Sequence, residues 1–134
     1  MKYLLSLYGE ESGWDDVSPD KMRAMMEPWN KYEQEVFDAG AKLASEALQP
    51  SSTATTIKVG EGSDRVVTDG PFAETKEQLG GFYLLECENL DEALEWAKKV
   101  PLQPGGSIEV RPVMDFSEFG FVDPAEKAKA EAAS

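Results

Sequence analysis

The first part of the chain combines a short apolar run with a longer stretch of apolar residues spaced three or four apart. Residues 2–8, KYLLSLY, are apolar on both faces of an extended chain and predict a β-strand. Ser18 and Pro19 suit an N-cap and a first helical position, and Gly40 suits a C-terminal stop. We expect Pro28 to kink or break the helix between them, because its ring presses on the preceding turn. The predicted apolar stripe of this helix contains Met22, Met25, Met26, Trp29, Tyr32, Val36 and Phe37.

The middle of the chain has the composition of loops and β-hairpins. Residues 9–17 are polar and predict a loop, and residues 42–48 predict the next strand. Residues 54–59 and 65–68 are rich in β-branched side chains and flank residues 60–64, GEGSD, which have hairpin-loop composition. A β-hairpin therefore follows the first β-α-β unit.

A turn and a predicted helical turn follow the hairpin. Gly70 and Pro71 end the strand, since proline has no N–H for a ladder hydrogen bond. Thr75 and Gln78 have capping-box spacing, which predicts a single helical turn that the next two glycines end.

The last part of the domain repeats the β-α-β pattern. Residues 82–87, FYLLEC, are apolar on both faces, so this strand needs cover on both sides. Asn89 and Glu92 have capping-box spacing for a helix that ends before Pro101. In the last predicted strand, 108–114, Ile108, Val110 and Met114 share one face, and Glu109, Arg111 and Val113 share the other.

These elements predict an α+β fold of the ferredoxin-like kind, an antiparallel sheet with its helices on one face. Two helices cannot cover both faces of the sheet, and a second copy of the chain is the simplest cover for the other face. We therefore expect a homodimer. The domain is predicted to span residues 1–122, and residues 123–134, rich in Ala, Glu and Lys, are predicted to form a flexible tail.

Composition narrows the range of partners and cofactors. The net charge of -13 repels nucleic acid and anionic lipid, so neither is expected as a partner. One cysteine and no histidine exclude a zinc or iron–sulfur site of ordinary type, and Cys87 is predicted to pack in the core. No phosphate-binding loop or dinucleotide fingerprint occurs, so no cofactor is predicted. Without a signal peptide or membrane span in the sequence, a cytoplasmic location is expected by default.

The segment DGPFAETKEQLGGFYLLE, residues 69–86, resembles the signature of the DGPF group of YCII-related proteins. The opening KYLLSLYG, the helix with Trp29 and Tyr32, LDEALEWAKKVP and IEVRPV look like further family segments. The resemblance implies a dimeric α+β barrel in which two sheets face each other. Related proteins use a His–Asp pair with the histidine in the first helical region, and this chain has no histidine. Proteins of the DGPF type also resemble a group associated with extracytoplasmic-function sigma factors.

Asp69 is the leading catalytic candidate. At the end of a strand and beside a Gly-Pro turn it could act as a general base or a hydrogen-bond acceptor, and the alternative is an Asx turn that binds its own backbone. Lys76 could hold an anionic ligand, whereas most charges of the cluster with Glu74 and Glu77 are expected simply to face water. Phe72 is expected to plug the core rather than to form a ligand platform.

Arg111, Tyr8 and Tyr83 are the remaining candidate ligand-binding residues. Arg111 could pair with Asp69, with Glu46 or Glu109, or with a carboxylate ligand. The hydroxyls of Tyr8 and Tyr83 could reach the same cavity, and aromatic packing accounts for them equally well.

Three functions are compatible with this sequence. The first is a small-molecule-binding or accessory protein with an inter-subunit cavity near the DGPF turn. The second is an enzyme of the lyase or isomerase kind with Asp69 as general base and Arg111 or Lys76 holding an anion. The third is an interaction protein linked to an extracytoplasmic-function sigma factor. We place the first ahead of the others, because fold analogy alone supports catalysis.

Overall fold

The computed structural model describes residues 1–11 and 16–133 of the chain. Residues 12–15 of the predicted 9–17 loop, and Ser134 of the predicted tail, lie outside the described residues. The described residues form six strands and three α-helices, in the order β1 Lys2–Gly9, α1 Pro19–Asp38, β2 Lys42–Ala47, β3 Thr55–Val59, β4 Arg65–Asp69, β5 Gln78–Glu86, α2 Leu90–Lys98, β6 Ser107–Pro112 and α3 Pro124–Ala133.

Four of the strands form one antiparallel sheet in the order β2-β5-β1-β6. With α1 after β1 and α2 after β5, this is the strand order of the ferredoxin-like plan. The α+β class and the antiparallel sheet predicted from the sequence are thereby confirmed.

The hydrophobic core lies between this sheet and helices α1 and α2. Alternate side chains of β1 and β5 point towards the helices, and Leu5 and Leu85 are fully buried there together with Val36 of α1. Cys87 is also buried in this core, as predicted. The remaining core residues are Tyr3, Leu7, Tyr32, Ala41, Tyr83, Ala93, Ala97 and Val100.

Helix α1 runs without interruption through Pro28, so the predicted break is wrong. Its N-terminus has the predicted cap, in which the Ser18 hydroxyl accepts a hydrogen bond from the backbone N–H of Lys21. Helix α2 is capped as predicted too, because the Asn89 side chain accepts from the backbone N–H of Glu92. Local capping chemistry therefore sets where both core helices begin.

Strands β3 and β4 form a separate two-stranded antiparallel sheet, the predicted hairpin. Its residues pair from Thr55 with Asp69 to Val59 with Arg65. The chain leaves β4 at Gly70, whose φ of 103° is one that residues with a side chain rarely adopt. We call the segment from β3 through β4 the hairpin.

No helix forms at residues 75–78, which corrects the predicted helical turn. The Thr75 hydroxyl donates to the Glu77 carbonyl and the Gln78 amide donates to the Thr75 carbonyl, so neither side chain caps a helix. Strand β5 begins at Gln78 and contains both glycines that were expected to end the turn. Gly81 is required there, because a Cβ atom would lie 2.8 Å from the Glu46 carbonyl oxygen of β2.

The C-terminal part of the described chain lies outside the core. A short 3-10 helix at Phe116–Phe119 is followed by α3, and no residue of either is buried. A 4.0 Å ion pair joins Lys2 to Glu126, and the flexibility of this tail stays a prediction. Among the described residues, no helix combines the length and hydrophobicity needed to cross a bilayer.

Candidate functional site

The sheet has a face that α1 and α2 leave uncovered, which we call the open face. Leu4 pairs with Leu84 across β1 and β5, and the neighbouring row of the same face pairs Ser6 with Phe82. These central side chains are half-buried, apart from the buried Ser6, although α1 and α2 lie on the other face. Lys2 and Glu86 lie on the same face at one end of the central strands, and the charged side chains of the edge strands on this face are Glu46, Glu109 and Arg111.

A groove of about 620 Å³ lies at one end of the open face, where Tyr8 is opposite Leu79. A register shift after Leu7 places this pair together. The other walls come from the β2–β3 connection, from the first two residues of β3 and from the loop that begins at Pro71, and the groove is open to solvent. Its lining residues are Tyr8, Leu48, Gln49, Pro50, Ser51, Thr53, Ala54, Thr55, Thr56, Pro71, Phe72, Ala73, Thr75, Glu77, Gln78 and Leu79.

A smaller polar pocket of about 310 Å³ adjoins the groove and shares Ser51, Thr75 and Gln78 with it. The Glu11 carboxylate accepts two hydrogen bonds of 2.7 Å from Ser51, one from its backbone N–H and one from its hydroxyl. On the other side the Lys76 ammonium lies 3.1 Å from a Glu10 carboxylate oxygen. The pocket therefore contains two carboxylates and one ammonium group.

Phe72, predicted as a core plug, is 85% exposed and lines the groove. The loop that holds it has no regular structure between Gly70 and Gln78 and is fixed by the Gln78 amide, which bonds the carbonyls of Ala73 and Thr75. An exposed aromatic side chain in a groove wall can supply apolar contact area to a bound molecule.

Asp69 ends β4 and is exposed, paired with Thr55 across the hairpin. The turn beside it is held by backbone and hydroxyl bonds: the Gly70 N–H donates to the Ala54 carbonyl, and the Thr56 hydroxyl donates to the Gly70 carbonyl. Asp69 is not among the residues that line the groove within one chain.

The other candidate residues lie on different surfaces. Arg111 is on the open face and pairs with Glu109 at 2.6 Å, which is one of the partners considered from the sequence. Tyr83 points the other way, into the core, where its ring meets Tyr32 edge to face at 5.2 Å. Tyr8 and Tyr83 therefore lie on opposite faces of the sheet, and the described residues of one chain show no contact between Asp69 and Arg111.

A half-buried polar cluster between α1 and β2 gave no local signal in the sequence. Glu33 of α1 accepts hydrogen bonds from Lys42 and Ser45, and the Tyr83 hydroxyl is close enough to act on the same carboxylate. Burial alone would raise the pKa of Glu33, but these three donors and the charge of Lys42 bring that pKa below its usual value. Burial raises the pKa of Tyr32 and of Tyr83, and the nearby Glu33 raises both further.

A family model for the YCII-related domain matches residues 1–117, which include every strand and both core helices. The chain belongs to the YCII-related family. An uncharacterized protein of Rhizobium meliloti (strain 1021) is 38% identical over 115 residues, which make up 84% of this chain and 92% of that relative. The match to the YCII-related domain contains the groove, the polar pocket and Asp69. Since the sequence has no histidine, a His–Asp pair cannot form within this member of the family.

Proposed function

We propose that this YCII-related protein binds a small molecule in the groove beside Tyr8, in a homodimer whose second chain covers the open face. The observation that carries the proposal is the combination of an apolar groove with an adjoining polar pocket. Binding sites for small molecules are concave, with mostly apolar walls and a few polar groups that fix orientation. The groove provides Leu48, Phe72 and Leu79 as walls, and the pocket provides the polar groups.

The open face supports the dimer. Phe82, Leu84 and Leu4 form a contiguous apolar centre on the sheet face that α1 and α2 leave uncovered. Soluble monomers rarely leave such a face to water, and burial in a dimer would stabilise it by roughly 25 cal/mol per Å² of apolar surface. Chains of charge -13 repel each other, so the dimer should tighten as salt is added.

The ligand that best fits these walls has an apolar body and an anionic head. The head would bind Lys76, whose side chain is 85% exposed and pairs only with the half-exposed Glu10 among the described residues. Such surface pairs contribute roughly 0–1 kcal/mol, so a ligand carboxylate can replace Glu10 at small cost. The donors of Ser51 and Gln78 in the same pocket already bind Glu11 and the carbonyls of Ala73 and Thr75, so Lys76 is the group that attracts the head.

A paired ligand series tests this proposal. Straight-chain carboxylic acids and the alcohols of equal length are added separately, and the melting temperature is measured. A ligand at about 100 times its dissociation constant stabilises the protein by roughly 2.7 kcal/mol. Because only the acids carry a charge that can pair with Lys76, they should raise the melting temperature more than the alcohols. Lys76→Gln should remove that difference, and Lys58→Gln, on the hairpin, serves as the matched control. Equal shifts for acids and alcohols in the wild type would overturn the anionic ligand, and no shift with either would overturn the binding site.

An interaction role is the second candidate, because the C-terminal segment exposes several aromatic side chains. Phe116, Phe119 and Phe121 are at least half exposed, which is unusual for three phenylalanines within six residues. Exposed aromatic side chains support a contact surface for another protein, and the family resemblance makes an extracytoplasmic-function sigma factor the candidate partner. The net charge of -13 argues against direct contact with DNA. The lyase or isomerase alternative would require Asp69 to act as a base without a histidine, and the groove within one chain does not include it.

A further inference from the structure

The hairpin lacks a core of its own. The hydrogen bonds of its residues join the two strands to each other, lie within the turn at residues 60–65 or reach the flanking Gly70, and within the described chain none joins the hairpin to the four-stranded sheet. Isolated two-stranded ribbons are at best marginally stable in water. This ribbon must gain stability from something that it touches.

One face of the hairpin is suited to such a contact. Ile57 pairs with Val67 and is followed by Val59 on the same face, and these side chains are 59%, 63% and 70% exposed. The opposite face has only one apolar residue, Val66, beside Lys58 and two threonines. We call the face with Ile57, Val59 and Val67 the apolar face of the hairpin. Its two charged residues are Arg65 and Asp69.

The open face has matching chemistry. Its apolar centre matches the apolar face of the hairpin, and its edges carry charges of both signs in Glu46, Glu109 and Arg111. A hairpin laid on this surface can place Arg65 near a glutamate and Asp69 near Arg111. Such opposite-sign contacts matter for two chains that each carry a charge of -13, because they offset part of the overall repulsion.

We propose that the hairpin is an arm that lies on the open face of a second copy of the chain, and that it places Asp69 against Arg111 of the partner subunit. The proposal rests on the dimer of the proposed function and deepens it, because the arm would bring the carboxylate of one chain to the sheet surface of the other. The shared site expected from the sequence would then form between chains rather than within one. By two-fold symmetry each dimer contains the Asp69–Arg111 contact twice.

Two adjacent valines test which surface makes the contact. Val67→Lys places a charge on the apolar face, and Val66→Lys places the same charge on the opposite face as the matched control. Both side chains are exposed, so neither substitution should unfold the chain, which circular dichroism verifies. Sedimentation at tens of micromolar should show a dimer for the wild type and Val66→Lys and a monomer for Val67→Lys. Two dimeric variants, or two monomeric ones, would overturn the assignment of this face.

Charge reversal tests whether the ion pair forms between chains. Asp69→Arg and Arg111→Asp should each weaken the dimer about tenfold, since each removes two symmetry-related attractions and creates two repulsions. Mixing the two single variants should restore the wild-type dissociation constant, because the heterodimer contains two opposite-charge contacts. Rescue by the double variant without rescue by mixing would show a pair within one chain, and no rescue in either case would show no pair. Both results would overturn the proposal.

The failure of the arm can be told apart from the failure of the dimer. Leu84→Glu places a charge at the centre of the open face, whichever surface of the partner covers it. If Leu84→Glu is monomeric while Val67→Lys stays dimeric, the sheets pack on each other directly, so the arm is overturned and the proposed dimer stands. A monomeric wild type would overturn both.

Discussion

The four-stranded sheet and the hairpin are both antiparallel β-structure, yet they are stabilised in different ways. The sheet buries Leu5, Leu85 and Val36 completely beneath two helices, whereas the hairpin leaves every apolar side chain of its two strands exposed. Burial of a large aliphatic side chain stabilises by roughly 1.5–3 kcal/mol, while a backbone hydrogen bond contributes about 1 kcal/mol net. The sheet therefore sets the stability of the fold, and the hairpin depends on its contacts.

The candidate functional groups follow the same division. Asp69 belongs to the hairpin, and Lys76 and Phe72 belong to the loop after it, so all three lie outside the core. Residues in loops and weakly packed segments can be substituted without loss of the fold, and binding residues are frequent there for this reason. In this protein the rigid sheet supplies Tyr8 as a fixed wall, and the exposed segments supply the polar chemistry.

Hydrogen exchange should show the largest difference between the two regions. In dilute protein, backbone amides of β1 and β5 should exchange only through global unfolding, and those of β3 and β4 through local opening. We expect their protection to differ at least roughly a thousandfold. Protection of the hairpin should rise with protein concentration if the hairpin lies on a partner chain. Equal protection of the two sheets in dilute protein would show that the hairpin is as stable as the four-stranded sheet and would contradict the difference argued above.

Substitutions that remove apolar atoms should give the next largest difference. Leu85→Ala creates a cavity in the core and should lower the free energy of unfolding by about 2–5 kcal/mol. Val66→Ala, on the solvent side of the hairpin, should change it by no more than about 0.5 kcal/mol. Urea denaturation of both variants measures this difference. A large loss for Val66→Ala would mean that this face of the hairpin is covered.

Alkaline pH should destabilise the core region through Tyr32 and Tyr83, two of its buried tyrosines. The pKa of Tyr32 and that of Tyr83 are raised above the ordinary value of 10 in the folded chain, chiefly by burial. A raised folded pKa contributes stability that is complete below the unfolded value and is lost as the pH rises through the folded one. Stability should therefore fall above about pH 10, and Tyr83→Phe should make that fall shallower. Urea denaturation at each pH measures the free energy of unfolding. If this free energy falls with pH as steeply in Tyr83→Phe as in the wild type, the loss does not come from Tyr83.

The sequence was most informative where local chemistry determines the structure. Ser18 and Asn89 cap the helices as their residue types predict, and the strand at residues 82–87 occupies the centre of the sheet because both of its faces are apolar. Pro28 does not break α1, since a proline removes only one hydrogen bond and the helix gains more from the contacts of Tyr32 and Val36 in the core.

The site was less accessible from the sequence, because distant segments build it. Glu11 and Ser51 meet across 40 positions, and no local pattern marks such a contact. Thr75 and Gln78 have the spacing of a capping box, but pairing of Gln78 with Gly9 at the start of β5 determined the structure instead. Tertiary pairing thus overrode the local signal in the loop that lines the groove.

The smallest predicted effect compares two lysine–glutamate pairs, one in each region. Lys42→Met removes a donor from the half-buried Glu33 and should lower the free energy of unfolding by about 1 kcal/mol. Lys76→Met breaks the exposed pair with Glu10 and should change it by no more than about 0.5 kcal/mol. The difference reflects burial, since water screens the second pair more effectively.

The pH dependence of that loss identifies its origin. The folded pKa of Glu33 lies below the unfolded value of 4.5, so the stability from its hydrogen bonds is present above that value and is lost as the pH falls through the folded pKa. Lys42→Met raises the folded pKa of Glu33 towards the unfolded one. The gap in stability between wild type and Lys42→Met should therefore be largest near neutral pH and should narrow as the carboxylate is protonated. Urea denaturation between about pH 7 and pH 3 measures the gap, with Lys76→Met as the control. A gap that stays constant across this range would show that Lys42 stabilises through the packing of its aliphatic stem rather than through Glu33.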